Sequence, residues 1–252
     1  MAVTIKSPRE IEIMRASGRI LSAVHEELGQ MIRPGISTKD IDDKAARMIA
    51  AHDCIPSFLN YKGFPAAICV SVNEEVVHGI PDKRRILMDG DIVSLDIGVC
   101  YKGYHTDAAR SYGVGNVSDE AKNLIAVTKQ AFFVGLLKAR AGNHLHEISA
   151  AVDEFVTANG YGIVRDLVGH GIGRELHEDP QIPHFSQKKR GLRLRAGMTI
   201  CIEPMVNMGY AEVEWEEDEW TVVSEDRSWS AHYENTVLVT GGEPELLTYF
   251  EG

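Results

Sequence analysis

Apolar residues first recur at helical spacing at Ile13, Ile20, Val24, Leu28 and Met31. They follow Ser7-Pro8-Arg9-Glu10, which sets a capping Ser three residues before a Glu with Pro at the first helical position. A helix is predicted from that cap until Arg33-Pro34-Gly35 ends it. A second helix is expected from Ser37, with Asp40 in its first turn and Ile41, Ala45, Met48 and Ile49 on one side. The period then changes: residues 67–72, 91–97 and 107–114 are short, β-prone runs bounded by Gly, Pro or Asn, and read as strands. The same order recurs, with helices at about 118–140 and 145–158 ahead of strand-like segments at 198–202, 221–223 and 236–239.

The recurrence extends to individual residues. His78-Gly79-Ile80 is matched by His170-Gly171-Ile172, Leu87-x-x-Gly90 by Leu194-x-x-Gly197, and His105-x-Asp107 by His232-x-Glu234, all in the same order. Asp96 lies six residues after Gly90, and Glu203 six after Gly197. Each half therefore offers a His, an acid and a second acid. The expected architecture is α+β: a duplicated helix-helix-strands unit, about 7–116 and 117–252, within a single domain spanning 1–252. The two copies face each other across an approximate two-fold axis, which brings paired strand positions together at a central antiparallel sheet.

Composition narrows the class. The 252 residues include 26 Lys+Arg against 37 Asp+Glu, a net charge of −11, and 44% are hydrophobic, enough to build a substantial core and to exclude disorder as the main state. The acidic balance argues against a protein that works by neutralising nucleic-acid phosphates. No stretch approaches 18 uncharged apolar residues, and the N-terminus turns charged before any apolar run develops, so neither membrane nor export is expected. Cys54, Cys69, Cys100 and Cys201 are scattered, which fits a reducing compartment and makes the cytoplasm the expected location.

Asp96, Asp107, Glu203 and Glu234 stand in or beside otherwise apolar strand segments, where a bare carboxylate loses its hydration at large cost. Arg110 and Lys102 offer an ion-pair explanation for any single acid, but not for all four. Together with His170, the four acids form a hard, mostly oxygen ligand set suited to two divalent first-row metals bridged by carboxylates. Two such ions lower the pKa of a shared water and stabilise the attacking and leaving atoms, which points to a dinuclear metallohydrolase. A glycosidase needs two carboxylates rather than four.

The residues that carry this chemistry also carry a resemblance. Ser71-Val72-Asn73-Glu74, His78-Gly79-Ile80-Pro81, Ser94-Leu95-Asp96, His105-x-Asp107, Gly169 to Arg174, Ile202-Glu203-Pro204 and Tyr233 to Thr236 resemble the motifs of the type I methionine aminopeptidases, peptidases of family M24 with the creatinase/aminopeptidase pita-bread fold. The interval of 31 residues from Glu203 to Glu234 resembles type I rather than type II. The resemblance implies hydrolysis of the peptide bond after an N-terminal methionine, on nascent polypeptides and peptides. It implies two ions per chain (Co, Mn, Fe or Zn) on Asp96, Asp107, His170, Glu203 and Glu234, with Asp107 and Glu234 bridging. Glu203 would move the proton, while His177 and His78 would contact the scissile amide. Tyr61, Phe64, Cys69, His78 and Trp220 would wall the methionine pocket. Leu176 stands where relatives commonly have Phe and Phe58 where some have Cys, a compensating exchange of bulk. Another exopeptidase of the fold, of Xaa-Pro type, and a metal-free binding module are the competing readings.

Two charge runs remain. Residues 212–219 hold six acids around Trp215 and read as a solvated hairpin or loop, alternatively a negative rim for the substrate's ammonium group. Residues 188–195 are basic and read as an exposed loop, with contact to ribosomal RNA as the alternative. A monomer is expected.

Overall fold

The structure, a computed structural model, describes residues 3–249. Helix α1 spans Pro8–Met31 and α2 Thr38–Ala51; both begin at capping boxes, Ser7 with Glu10 and Ser37 with Asp40, as the sequence predicts. Helix α3 spans Asp119–Leu136 behind Ser118, whose hydroxyl accepts the N–H of Ala121, and α4 spans Leu145–Ala158. The expectation of a helix to residue 140 fails, because Lys138, Ala139 and Arg140 close tight turns and the N–H of Ala141 goes to the Thr240 carbonyl.

Each helix pair covers one sheet. The first is built on Ile92–Tyr101, paired antiparallel with Tyr104–Gly113, Cys69–Val72 and Ile55–Pro56. The long pair runs past the predicted strand ends because Lys102 and Gly103, both at positive φ, make a two-residue hairpin turn. The second sheet has five antiparallel strands in the order Glu245–Leu246, Asn235–Leu238, Thr199–Ile202, Gly169–Gly171, Glu178–Ile182. Two three-stranded sheets of short strands complete the fold.

Strand alternation then decides what faces the helices. Val93, Leu95 and Ile97 pack with Leu21, Val24 and Leu28 of α1 and Ile41 and Ile49 of α2. Ile200, Ile202 and Val237 pack with Phe132 of α3 and Ile148 and Val152 of α4. The intervening positions, Asp96 on the first sheet and Cys201 on the second, are turned away from the helices. Between the sheets, Ala109 and Glu234 exchange backbone hydrogen bonds of 3.3 and 3.0 Å, so the inner edges meet at the chain centre. Among the described residues, no helix is long and apolar enough to cross a membrane.

Candidate metal centre and substrate cavity

The expected site residues converge. Asp96, Asp107, His170, Glu203, Glu234, His78, His177, Tyr61, Phe64, Cys69, Trp220, Phe58 and Leu176 line a single cavity of about 190 Å³. Among the described residues, Lys62 is the further one that lines it.

Asp96 and Asp107 come from adjacent strands, Glu203 directly follows Thr199–Ile202, and Glu234 directly precedes its neighbour Asn235–Leu238. Oxygens of Asp96, Asp107 and Glu234 lie within 4.8 Å of one another, as do donor atoms of His170, Cys201 and Glu234. His170 Nε2 is 3.5 Å from Glu203 Oε1. One oxygen each of Asp96, Asp107, Glu203 and Glu234 is buried with no hydrogen-bond partner. Burial pushes the Asp107 carboxyl up to about 7. It pushes Asp96, Glu203 and Glu234 well above the usual carboxylate range, with repulsion among the four acids adding to it. Four acids in mutual repulsion, each with a buried, orphaned oxygen, fit a bound divalent cation.

The nearby bases do not neutralise these acids. Arg110 donates to the carbonyls of Ala109, Glu234 and Thr248 and to Asn235 Oδ1, and Lys102 lies over the Tyr101 ring. The ion-pair explanation is thereby set aside.

Local backbone chemistry presents the histidines. His170 Nδ1–H donates to the Gly171 carbonyl at 2.9 Å, which leaves the Nε2 lone pair directed at the acids. A Cβ at Gly169 would stand 2.4 Å from the Cys201 carbonyl oxygen, and one at Gly171 2.2 Å from that of Asp179, so both glycines flanking His170 are required. His78 holds a left-handed φ of 61°, and a Cβ at Gly79 would stand 2.4 Å from the Val70 carbonyl oxygen. Burial lowers His78 and His170 to about 4, so both rings are neutral at pH 7.

His177 sits at the cavity mouth, stacked on Tyr61 with its Nδ1 2.7 Å from the Tyr61 hydroxyl. Loss of water on its packed side, then the charge that His170 would carry, hold it at about 3. Trp220, which also lines the cavity, stands edge-on to Phe64 at 5.2 Å and to His78 at 6.5 Å. Its position comes from the acidic run: Asp218 accepts the N–H groups of Trp220 and Thr221 and the Thr221 hydroxyl. Glu214 and Glu216 of that run pair with Arg227.

Three further residues had no sequence signal. The Cys201 thiol lies beside Glu234; His184 Nε2 accepts the Glu203 N–H at 3.0 Å; Lys62 stands at the rim. His105, half of a repeated pair, turns instead to Ser57 Oγ at 2.9 Å, whereas its counterpart His232 is buried 4.0 Å from Glu203 Oε2.

Residues 12–241 match the model of metallopeptidase family M24, and the chain belongs to that family. It is therefore a metallopeptidase, and divalent metal binding goes with membership. The chain is 50% identical over 246 residues to the methionine aminopeptidase of Clostridium perfringens, covering 98% of each chain. It is 49% identical to methionine aminopeptidase 1 of Bacillus subtilis, covering 98% of this chain and 99% of that one. The crystal structure of the methionine aminopeptidase of Thermotoga maritima superimposes with a TM-score of 0.97 at 41% identity, over 99% of this chain and all of that one. An Xaa-Pro dipeptidase from Bacillus anthracis shares the pita-bread fold at a TM-score of 0.79 and 25% identity, but this chain covers only 62% of it.

Proposed function

We propose that this protein removes the N-terminal methionine from nascent proteins and peptides by hydrolysing the first peptide bond. The observation that carries the reading is that one cavity is lined both by four mutually repelling carboxylates with His170 and by the apolar Phe58, Phe64, Cys69, Leu176 and Trp220. The first suits divalent cations, and the second suits a thioether side chain.

Asp96, Asp107, His170, Glu203 and Glu234 would hold two divalent ions, of Mn, Fe, Co or Zn. When bound, such ions lower the pKa of water and polarise the scissile carbonyl. Glu203 takes the proton released on attack and returns it to the departing amine. Its backbone is held by His184. With the Tyr61 hydroxyl donating to Nδ1 of His177, the Nε2–H of the neutral ring faces the cavity as a donor to the developing oxyanion. His78, neutral and half-buried, contacts the scissile amide from the other side. The aromatic and sulfur wall excludes water from the methionine side chain.

The same reading takes the chain, 1–252, as one catalytic domain acting as a monomer in the cytoplasm; its first two and last three residues lie outside the described ones. The basic run 188–195 is exposed apart from Leu194. Its contact with ribosomal RNA belongs to this reading as a secondary element.

The test is release of free methionine from Met-Ala-Ser by chelator-stripped protein, before and after titration with Mn, Fe or Co, with Asp107→Ala as control. Metal-dependent release that the control abolishes is the expected result. Cleavage of Ala-Pro-Ala in place of Met-Ala-Ser would move the assignment to an Xaa-Pro exopeptidase. Metal binding without either cleavage would end the reading.

A further inference from the structure

Lys6 lies in the segment that leads into α1, and its side chain is only 4% exposed. An ammonium is that deeply buried only when paired, and its partner is Glu178, 2.6 Å away with a side chain 6% exposed. The two residues are 172 positions apart. The segment is fixed at both ends, for the N–H of Lys6 donates to the Gly197 carbonyl at 2.8 Å and Ser7 caps α1.

Glu178 divides its oxygens between two tasks. Oε2 accepts from the Lys6 ammonium and, at 2.6 Å, from the Thr4 hydroxyl. Oε1 accepts the backbone N–H groups of Arg174 and Glu175, at 2.8 and 3.3 Å. These amides belong to the turn that ends in His177, the residue immediately before Glu178. Gly173, at the head of the turn, packs directly on the lysine stem: a Cβ there would stand 2.4 Å from Lys6 Cε and 2.6 Å from Glu178 Oε1. The carboxylate thus ties the turn to the N-terminal segment, and the ammonium supplies the charge that lets the carboxylate stay buried there.

We propose that Lys6 and Glu178 form a clamp that sets the position of His177, making Lys6 a positioning residue for the reaction. The inference rests on the donor role of His177 assigned above. The ring itself is held by stacking and one hydrogen bond to Tyr61, so its placement over the cavity depends on where the turn lies. With Lys6 replaced by an apolar residue, the carboxylate takes a proton or turns to water, and the amides of Arg174 and Glu175 lose their acceptor. A displacement of about 1 Å at a catalytic donor costs on the order of 100-fold in rate.

The experiment measures kcat and KM for methionine release from Met-Ala-Ser by metal-loaded wild type, Lys6→Met, His177→Ala and the double variant, with Lys6→Arg alongside. Lys6→Met is expected to lower kcat by roughly 10- to 100-fold with KM nearly unchanged. In the His177→Ala background the same substitution is expected to change kcat by less than about 3-fold, since the residue it acts through is gone. Lys6→Arg retains the ion pair and restores most of the rate. Hydrogen exchange at residues 174–178 rises in Lys6→Met while α1 and the sheets keep their protection.

Full activity in Lys6→Met, equal losses in both backgrounds, or faster exchange across the whole chain overturns the clamp. Wild-type kcat in His177→Ala removes the donor role and the clamp with it, and so marks failure of the underlying reading rather than of the Lys6 geometry. Should Lys6→Met fail to fold, Thr4→Val, which removes one of the donors to Oε2, carries the same comparison. A loss in the His177 background that vanishes in the His177→Ala background supports the clamp, and no loss in either overturns it.

Discussion

The hydroxyl of Thr236 accepts the backbone N–H of Asp107 at 2.8 Å and donates its own proton to the Asp107 carbonyl at 2.9 Å. One fully buried side chain from the second half of the chain therefore holds both backbone polar groups of a metal-ligand candidate from the first. The neighbouring exchange of hydrogen bonds between Ala109 and Glu234 continues the same joint.

Thr236→Val keeps the shape and removes the hydroxyl, leaving the Asp107 N–H and carbonyl buried without partners. The expected cost is about 2–4 kcal/mol of stability, from two buried groups at about 1–3 kcal/mol each with partial relaxation. Metal affinity should fall roughly 10- to 100-fold, as for loss of a group that orients a ligand. Urea denaturation and metal titration by calorimetry check the two effects; unchanged affinity would show that the joint does not orient Asp107.

Asp107→Asn removes one of four carboxylates that burial and mutual repulsion hold far from their ordinary ionisation. The chelator-treated variant should therefore be more stable than chelator-treated wild type, by at least about 1 kcal/mol at pH 8. Added Mn should raise the Tm of wild type by several degrees and leave the variant unmoved. A less stable metal-free variant would count against the repulsion described for this site.

The exchange of bulk between Phe58 and Leu176 is tested by reversing it. Both side chains are buried in the same apolar cluster that walls the cavity. Leu176→Phe alone overfills that wall and should lower kcat/KM for Met-Ala-Ser by about 10-fold. Adding Phe58→Cys should recover most of the loss, and additive losses in the pair would separate the two positions energetically.

His25 governs part of the acid response. Its Nε2–H donates to the Ala108 carbonyl at 2.7 Å, and burial, then the Arg110 charge, lower it to about 3 from an ordinary 6.5. The unfolded chain therefore binds the proton first as pH falls, so this histidine's contribution is complete above pH 6.5 and is lost progressively between 6.5 and about 3. His25→Gln should reduce the stability lost between pH 7 and pH 5 by about 2 kcal/mol in metal-saturated protein. Denaturation midpoints of equal slope in both proteins would contradict the assignment.

What the sequence determined by itself was whatever short-range chemistry controls. Ser7, Ser37 and Ser118 start helices because a capping hydroxyl and the amide it satisfies lie three residues apart. The reading of 91–97 as a strand set Asp96 among apolar neighbours, and the internal repeat picked out the matching acids of the second half, so the candidate ligand set was legible before any fold was known. Very short strands such as Gly169–Gly171 escaped because three residues carry no period. Tertiary structure alone decided that Cys201 lies beside Glu234, that His184 holds the backbone of Glu203, that His105 turns to Ser57, and that Lys6 reaches Glu178. Each of these contacts joins segments whose separation in sequence leaves no local trace; they exist because strand pairing and helix packing bring distant stretches of the chain side by side.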